Sequence, residues 1–390
     1  MKKIETSQDL AINGAIPAFE EQLHVGRPNI GERDVFLKYA EEMFDRRWLT
    51  NNGPLVQKFE QQVADYHNVK HCVAMCNGTV ALEIAIRALE LKGEVIIPSY
   101  TFVATAHALN WQEITPIFAD INPDTHTLDP EAVRKMITPK TTGIIAVHLW
   151  GRGAAHEELQ EIADEFGLKL MYDAAHAFGC SKGGKMIGNF GECEVLSFHA
   201  TKFFNTFEGG AVLTNNDALA EKMKLMRNFG FSGADNVIHP GTNGKMVEIC
   251  AAMGLTNLDS LDNVIEMNRF NYDAYQKAIA DINGLKLISY DEAEKNNYQY
   301  VVLEVEEDFP VSRDEIVKAL HAENILARKY FWPGCHAMSP YRELYPHASM
   351  MLSNTNFVSE RVIVLPTGTT LPEQSINVVT KILKIFSREK

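Results

Sequence analysis

Apolar residues in the first two thirds of the chain fall into short runs: "CVAMC", "EVIIPS", "ITPIFAD", "GIIAVHL", "LKLMYD", "EVLSFH" and "GAVLT". They alternate with stretches such as "GTVALEIAIRALEL" and "HEELQEIADEFG", where apolar positions recur with the helical period. Strands covered on both faces read as continuous apolar runs. The alternation therefore predicts βαβ units and an α/β fold, with a mostly parallel seven-stranded sheet between helices. Beyond residue 245 the pattern changes. The segment "AAMGLTNLDSLDNVIEMNRFNYDAYQKAIADI" predicts one long helix, followed by a strand in "YQYVVLEVE", a helix over "SRDEIVKALHAEN" and a closing helix over "PEQSINVVTKILKIF". The expected organisation is a large α/β domain with an N-terminal arm over residues 1–245 and a smaller C-terminal α/β domain over 246–390.

Composition narrows the function more than the fold. The 390 residues are 46% hydrophobic and 23% charged, which excludes disordered and fibrous classes. Lys and Arg number 37 against 51 Asp and Glu, a formal charge of −14, so neither nucleic acid nor an anionic membrane is expected as the main partner. An anionic ligand must then be held by local donors. The opening "MKKIETSQDLAINGAIP" has two lysines but no apolar segment behind them. No stretch approaches the roughly 18 apolar residues of a membrane span, and a cytoplasmic location is expected. Six cysteines lie apart from one another, without CxxC pairs or Cys/His ligand spacing; they read as reduced core thiols, and no metal site is expected.

In open α/β sheets ligands bind beyond the carboxyl ends of the strands, and three predicted strand ends carry chemistry. At the first, Asn77-Gly78-Thr79 opens an amphipathic helix. Free amides, the helix dipole and the Thr79 hydroxyl would suit a phosphate, although a turn with an N-cap needs no ligand. At the second, "LKLMYDAAHAFG" delivers Asp173, with His176 soon after. A carboxylate there can hold a metal, a ribose hydroxyl or the protonated nitrogen of a pyridine cofactor, or it can simply cap a helix beside a core histidine. At the third, "EVLSFHATKFFNTFEGG" places Lys202 among phenylalanines. A desolvated lysine has a depressed pKa and is an amine nucleophile; otherwise its stem lies on apolar surface with the head in water. A phosphate cradle, an acid and a lysine, in that order at strand ends, match the requirements of pyridoxal phosphate.

"YDAAHAFG" followed by "SFHATKFFNTFEGGA" is a specific pair of motifs. With "WLTNNGPLVQKFEQQVADYH", "NGTVALEIAI", "IIPSYTFVATAHAL", "VHLWG", "GTNGKMVEICAAMG" and "YFWPGCH", it makes the chain resemble the DegT family of pyridoxal-phosphate nucleotide-sugar aminotransferases, of fold type I, nearly from end to end. The resemblance implies pyridoxal 5'-phosphate as cofactor, passing through pyridoxamine 5'-phosphate in turnover. It implies that Lys202 carries the cofactor as a Schiff base, Asp173 pairs with its ring nitrogen and His176 lies near its phenolic oxygen. Gly78, Thr79 and Ser197 match the phosphate ligands, and Phe102 matches the ring that stacks on the cofactor. Asn243 matches an asparagine given by the neighbouring subunit, which implies a homodimer with shared active sites. Many relatives have arginine where this chain has Lys245, and lysine offers a point charge without a bidentate fork. The implied substrates are L-glutamate and a nucleotide-linked ketosugar. Amination at C4 of dTDP-4-dehydro-6-deoxy-D-glucose, for surface polysaccharide, is expected first, with a C3-ketosugar as the alternative. A dehydratase branch, in which histidine replaces the lysine, is opposed by Lys202. Cations for the sugar's diphosphate are sought in "NILARKYFWPGCH", in Arg328 and Lys329 with Tyr330 and His336 as hydrogen-bonding partners; Tyr330 and Trp332 could equally serve core or dimer packing.

Overall fold

In the computed structural model, which describes residues 2–372 and 374–388, the seven apolar runs are seven strands of one sheet. They are β1 (His71–Met75), β2 (Glu94–Pro98), β3 (Thr115–Ala119), β4 (Thr141–Val147), β5 (Lys169–Asp173), β6 (Cys193–Ser197) and β7 (Gly210–Thr214), in the spatial order β1-β7-β6-β5-β4-β2-β3. Every pair is parallel except those of β7, which runs against both β1 and β6. Successive residues of a strand face opposite helical layers. Cys72 and Ala74 join one core cluster with α1 (Pro54–His67), while Val73 and Met75 join the other with α2 (Gly78–Ala88) and α3 (Ala104–Asn110). Burial on both faces is why these strands read as unbroken apolar runs.

The expected long helix is two helices, α4 (Glu248–Asp259) and α5 (Leu261–Ile279), separated at Ser260. The halves belong to different cores. α4 is buried on most sides within the large unit, and the Glu248 carboxylate caps α1 by accepting from the amides of Leu55 and Val56, both at 2.9 Å. α5 is amphipathic and sends Tyr272, Tyr275 and Ile279 into a separate cluster. That cluster lies against an antiparallel sheet of β8 (Leu285–Leu287), β9 (Val301–Val305) and β10 (Val362–Leu365), with α6 (Arg313–Ala322) and α7 (Ser375–Phe386). α6 begins with a capping box in which Ser312 and Glu315 bond each other's amides.

The N-terminal arm packs with this smaller unit. Ile4, Leu10 and Leu23 belong to its core cluster, and Leu23–His24 pairs in parallel with Ile325–Leu326. The fully buried Glu323 carboxylate anchors the arm, accepting from Lys2 Nζ at 2.9 and 3.0 Å and from the amides of Ala11 and Ala18, both at 2.6 Å. All six cysteines are free thiols. Among the described residues no helix is long and apolar enough to cross a membrane.

Candidate active site

The register of the sheet brings the strand ends level. Val147 lies opposite Asp173, Asp173 opposite Val195, and Ser197 opposite Gly210, which in turn faces Met75. Because β7 runs back against β6, the loop between them stays at the carboxyl edge, and that loop carries Lys202. A cavity of about 360 Å³ opens there, lined by Gly78, Thr79, Phe102, Asp173, His176, Ser197, Lys202 and Tyr330 among others. A wider surface groove beside Lys38, Glu42 and Arg46 gathers no comparable set.

The cradle follows from local geometry. Asn77 is extended and its side chain accepts from the Val80 amide at 2.8 Å, starting α2. The Gly78 and Thr79 amides, first in the helix, have no carbonyl to bond and point outward. A Cβ on Gly78 would lie 2.9 Å from the Ser197 Cβ, and one on Gly210 would lie 2.6 Å from the Gly78 nitrogen, so two glycines let helix, strand and loop close round a small anion.

Asp173 is buried at the end of β5. Its Oδ2 accepts from the Thr105 hydroxyl at 2.8 Å and its Oδ1 from the Ala175 amide at 3.1 Å. Burial raises its pKa, opposed by these donors and by the charge of Lys202. Lys202, half-buried, is shifted the other way: desolvation lowers it to about 8, and Asp173 only partly offsets this. His176 is held well below its ordinary pKa by burial and by Lys202, so it stays a neutral imidazole. Its Nδ1 accepts from the Trp150 amide at 3.4 Å, which leaves Nε2 as the protonated nitrogen. The imidazole stacks on Phe331, with centroids 5.9 Å apart and planes 16° apart, and Phe331 in turn stacks on Trp150. Phe102, 57% exposed, presents its ring to the cavity.

Five expected residues lie elsewhere. Lys329 Nζ donates to Asp314 Oδ1 at 3.2 Å and sits 4.5 Å from the Trp332 ring centre. His336 is sealed at 2% exposure, with Nδ1 2.7 Å from the Ser99 hydroxyl and Nε2 3.1 Å from Asn356 Oδ1. It latches the 330–336 loop to the end of β2 and cannot reach a substrate; this corrects the expectation from "YFWPGCH". Arg328 lines a neighbouring chamber with His24, His321 and Tyr330, its guanidinium 4.8 Å from the Tyr330 ring centre. Asn243 and Lys245 are outside the cavity of their own chain. Asn243 is exposed, and Lys245 Nζ donates to its Oδ1 at 2.7 Å and to Asn228 Oδ1 at 3.0 Å. Sequence reasoning missed Thr101, Tyr300 and Phe331, all lining the cavity, and Thr105 behind Asp173. Thr101 and Thr105 stood in "SYTFVAT", next to the residue that was singled out; Tyr300 gave no signal of its own.

The arrangement has a cradle suited to a small anion at one end, holds a buried carboxylate and a weakly basic amine at the other, and offers an aromatic face between. The chain as a whole is similar to known proteins. A dTDP-4-amino-4,6-dideoxy-D-glucose transaminase of Shigella dysenteriae is 36% identical over 348 residues, 89% of this chain and 94% of the relative. A GDP-perosamine synthase of Vibrio cholerae is 30% identical over 355 residues, 90% of this chain and 95% of the relative. The crystal structure of DesI in the presence of its TDP-sugar product is 45% identical with a TM-score of 0.93, covering 98% of this chain and 97% of that one. Residues 31–384 match the family pattern itself, and the chain belongs to the DegT/DnrJ/EryC1/StrS aminotransferase family.

Proposed function

We propose that this enzyme transfers the amino group of L-glutamate to the C4 ketone of dTDP-4-dehydro-6-deoxy-D-glucose, using pyridoxal 5'-phosphate. The observation that carries the reading is the convergence of the Gly78–Thr79–Ser197 cradle, buried Asp173 and the low-pKa amine of Lys202 in one cavity, within a chain 45% identical to DesI.

When bound, the cofactor supplies a conjugated cationic ring that accepts the electron pair released at the amino-bearing carbon. The chain's residues do the rest. Gly78, Thr79 and Ser197 would hold the phosphate, and Phe102 would pack against the ring. Asp173 would hold the proton on the ring nitrogen, and His176 would donate from Nε2 toward the ring oxygen. Lys202 would hold the cofactor and, as a free base, would move a proton at the substrate carbon; a group titrating at about 8 is suited to both directions near neutral pH. Phe331 and Tyr300 keep water from that exchange. Arg328 and the chamber it shares with His24 and Tyr330 are the place for the sugar's diphosphate. Lys245 and Asn243 belong to the partner's site in a homodimer, Asn243 reaching the phosphate from the open side; its exposure and its absence from the lining of its own cavity support this.

The test presents purified enzyme and L-glutamate with dTDP-, UDP- and GDP-linked ketosugars and identifies products by NMR. Amination at C4 of the dTDP sugar is expected as the fastest reaction. Preference for a C3 ketone or a GDP sugar would overturn the assignment while leaving the transaminase class intact.

A further inference from the structure

The carboxylate that is proposed to hold the ring nitrogen is itself held. Thr105 sits at the start of α3 with no exposed surface, and its hydroxyl lies 2.8 Å from Asp173 Oδ2. Threonines in helices commonly return the hydroxyl to their own backbone. Here it goes to Asp173 instead. Thr101, one helical turn earlier and 2% exposed, places its hydroxyl 3.1 Å from that of Thr105. Each hydroxyl has one proton. With Asp173 ionised, Thr105 must donate to Oδ2, and its oxygen is then free to accept from Thr101. The two O–H bonds line up toward the carboxylate, a polarised chain in which each hydroxyl has a side-chain partner. The Ala175 amide fills one position on Oδ1, so the carboxylate keeps acceptor capacity on its open side.

We infer that the Thr101–Thr105 hydroxyl pair is the positioning device that keeps Asp173 an oriented anion and so governs the proton on the cofactor's ring nitrogen. Thr105 touches neither cofactor nor substrate; it acts through Asp173. The inference rests on the proposed role of Asp173. The other groups that bear on its charge are Lys202 from the β6–β7 loop, His176 from the loop after β5 and His148 after β4, whose Nε2 lies 2.9 Å from Glu194 Oε2 on β6. None of these replaces a donor on Oδ2. Burial already pushes the Asp173 carboxyl up, and removing its hydroxyl donor pushes it further, so that the carboxylate competes better for the proton on the ring nitrogen. Hydrogen bonds to charged groups are worth enough to predict a change of roughly tenfold or more in how the proton divides between ring nitrogen and carboxylate.

The experiment reads that proton directly. Holoenzyme reconstituted with pyridoxal phosphate labelled with 15N in the ring is titrated by NMR from pH 5 to 9. Wild type is expected to keep a pyridinium shift across the range, and Thr105→Val to move toward the neutral pyridine value by an amount that does not grow with pH, because the proton passes to Asp173 within the pair. Thr105→Ser, which restores the hydroxyl, should recover the wild-type shift, a rescue that a packing role of the methyl group would not give. Thr101→Val should move the shift in the same direction by less, and it carries the test if Thr105→Val fails to hold cofactor. An unchanged pyridinium shift in both valine variants overturns the inference. A neutral pyridine shift in wild type overturns the pairing with Asp173 itself, and the two failures are distinct.

Discussion

Lys202 should be the most reactive lysine of the ligand-free protein near neutral pH, and the structure says by how much. Its ammonium sits in a cavity walled by Phe102, His176, Tyr300 and Phe331, which favours the neutral form and lowers the pKa from 10.5 to about 8. At pH 7 roughly one tenth of such an amine is free base, against about 0.03% of an ordinary lysine, a gain of roughly 300-fold. Lower basicity also lowers intrinsic nucleophilicity, by about a factor of ten if amines follow the slope known for thiolates. Lys202 should therefore outpace other lysines by roughly 20- to 30-fold. The assay treats apo protein with a limiting amine-specific arylating reagent between pH 6 and 10 and measures each lysine by peptide mass spectrometry. The rate at Lys202 should rise about tenfold per pH unit and level off near 8, where other lysines are still climbing. Asp173→Asn removes the charge that partly offsets desolvation, so its plateau should begin at still lower pH. A midpoint near 10, or no excess labelling of Lys202, would refute the desolvated-amine account.

Three further outcomes are expected. Asp173→Asn should lower turnover more than tenfold, at least about 1.4 kcal/mol of barrier, with little change in melting temperature; a variant above a tenth of wild-type rate removes Asp173 from its role. Gly78→Ala should weaken cofactor binding at least tenfold by calorimetry, since its methyl would lie 2.9 Å from the Ser197 Cβ, and Ser197→Gly in the same chain should recover part of the loss. Mixing Lys202→Ala subunits with inactive Asn243→Asp subunits places both lesions in one composite site of a heterodimer, so up to half of native activity per heterodimer should return. No recovery after demonstrated subunit exchange counts against shared sites.

Much of this was legible because period and position coincide. All seven sheet strands stood out as apolar runs, and Asp173 and Lys202 were marked by lying at their ends. Ser260 was not legible as a break, because the residues on either side are helical in pattern and only the choice between two cores separates them. His336 misled for a related reason. It follows aromatic residues that do reach the cavity, but its own partners, Ser99 and Asn356, are distant in sequence, and only the fold shows that both imidazole nitrogens are occupied. Thr105 lacked a signal because a threonine in the first turn of a helix is commonplace until its neighbour in space is known to be a buried acid.

The anchoring of the arm at Glu323 has a consequence for the order of events on the ribosome. The donors that meet this carboxylate are 305 to 321 residues away along the chain. Translation at roughly 5 to 20 residues per second delivers Glu323 on the order of 15 to 60 seconds after the arm. By then Thr214 has long emerged, and every strand of the central sheet is available to pair. Over that interval Ile4, Leu10 and Leu23 have no core to enter, which makes the nascent arm a natural client for a chaperone. His24 and Val25, which wall the chamber beside Arg328, are likewise set in place only once the arm docks. The framework that holds the cofactor is thus encoded ahead of the wall that closes its antechamber, and the nascent chain meets the two in that order.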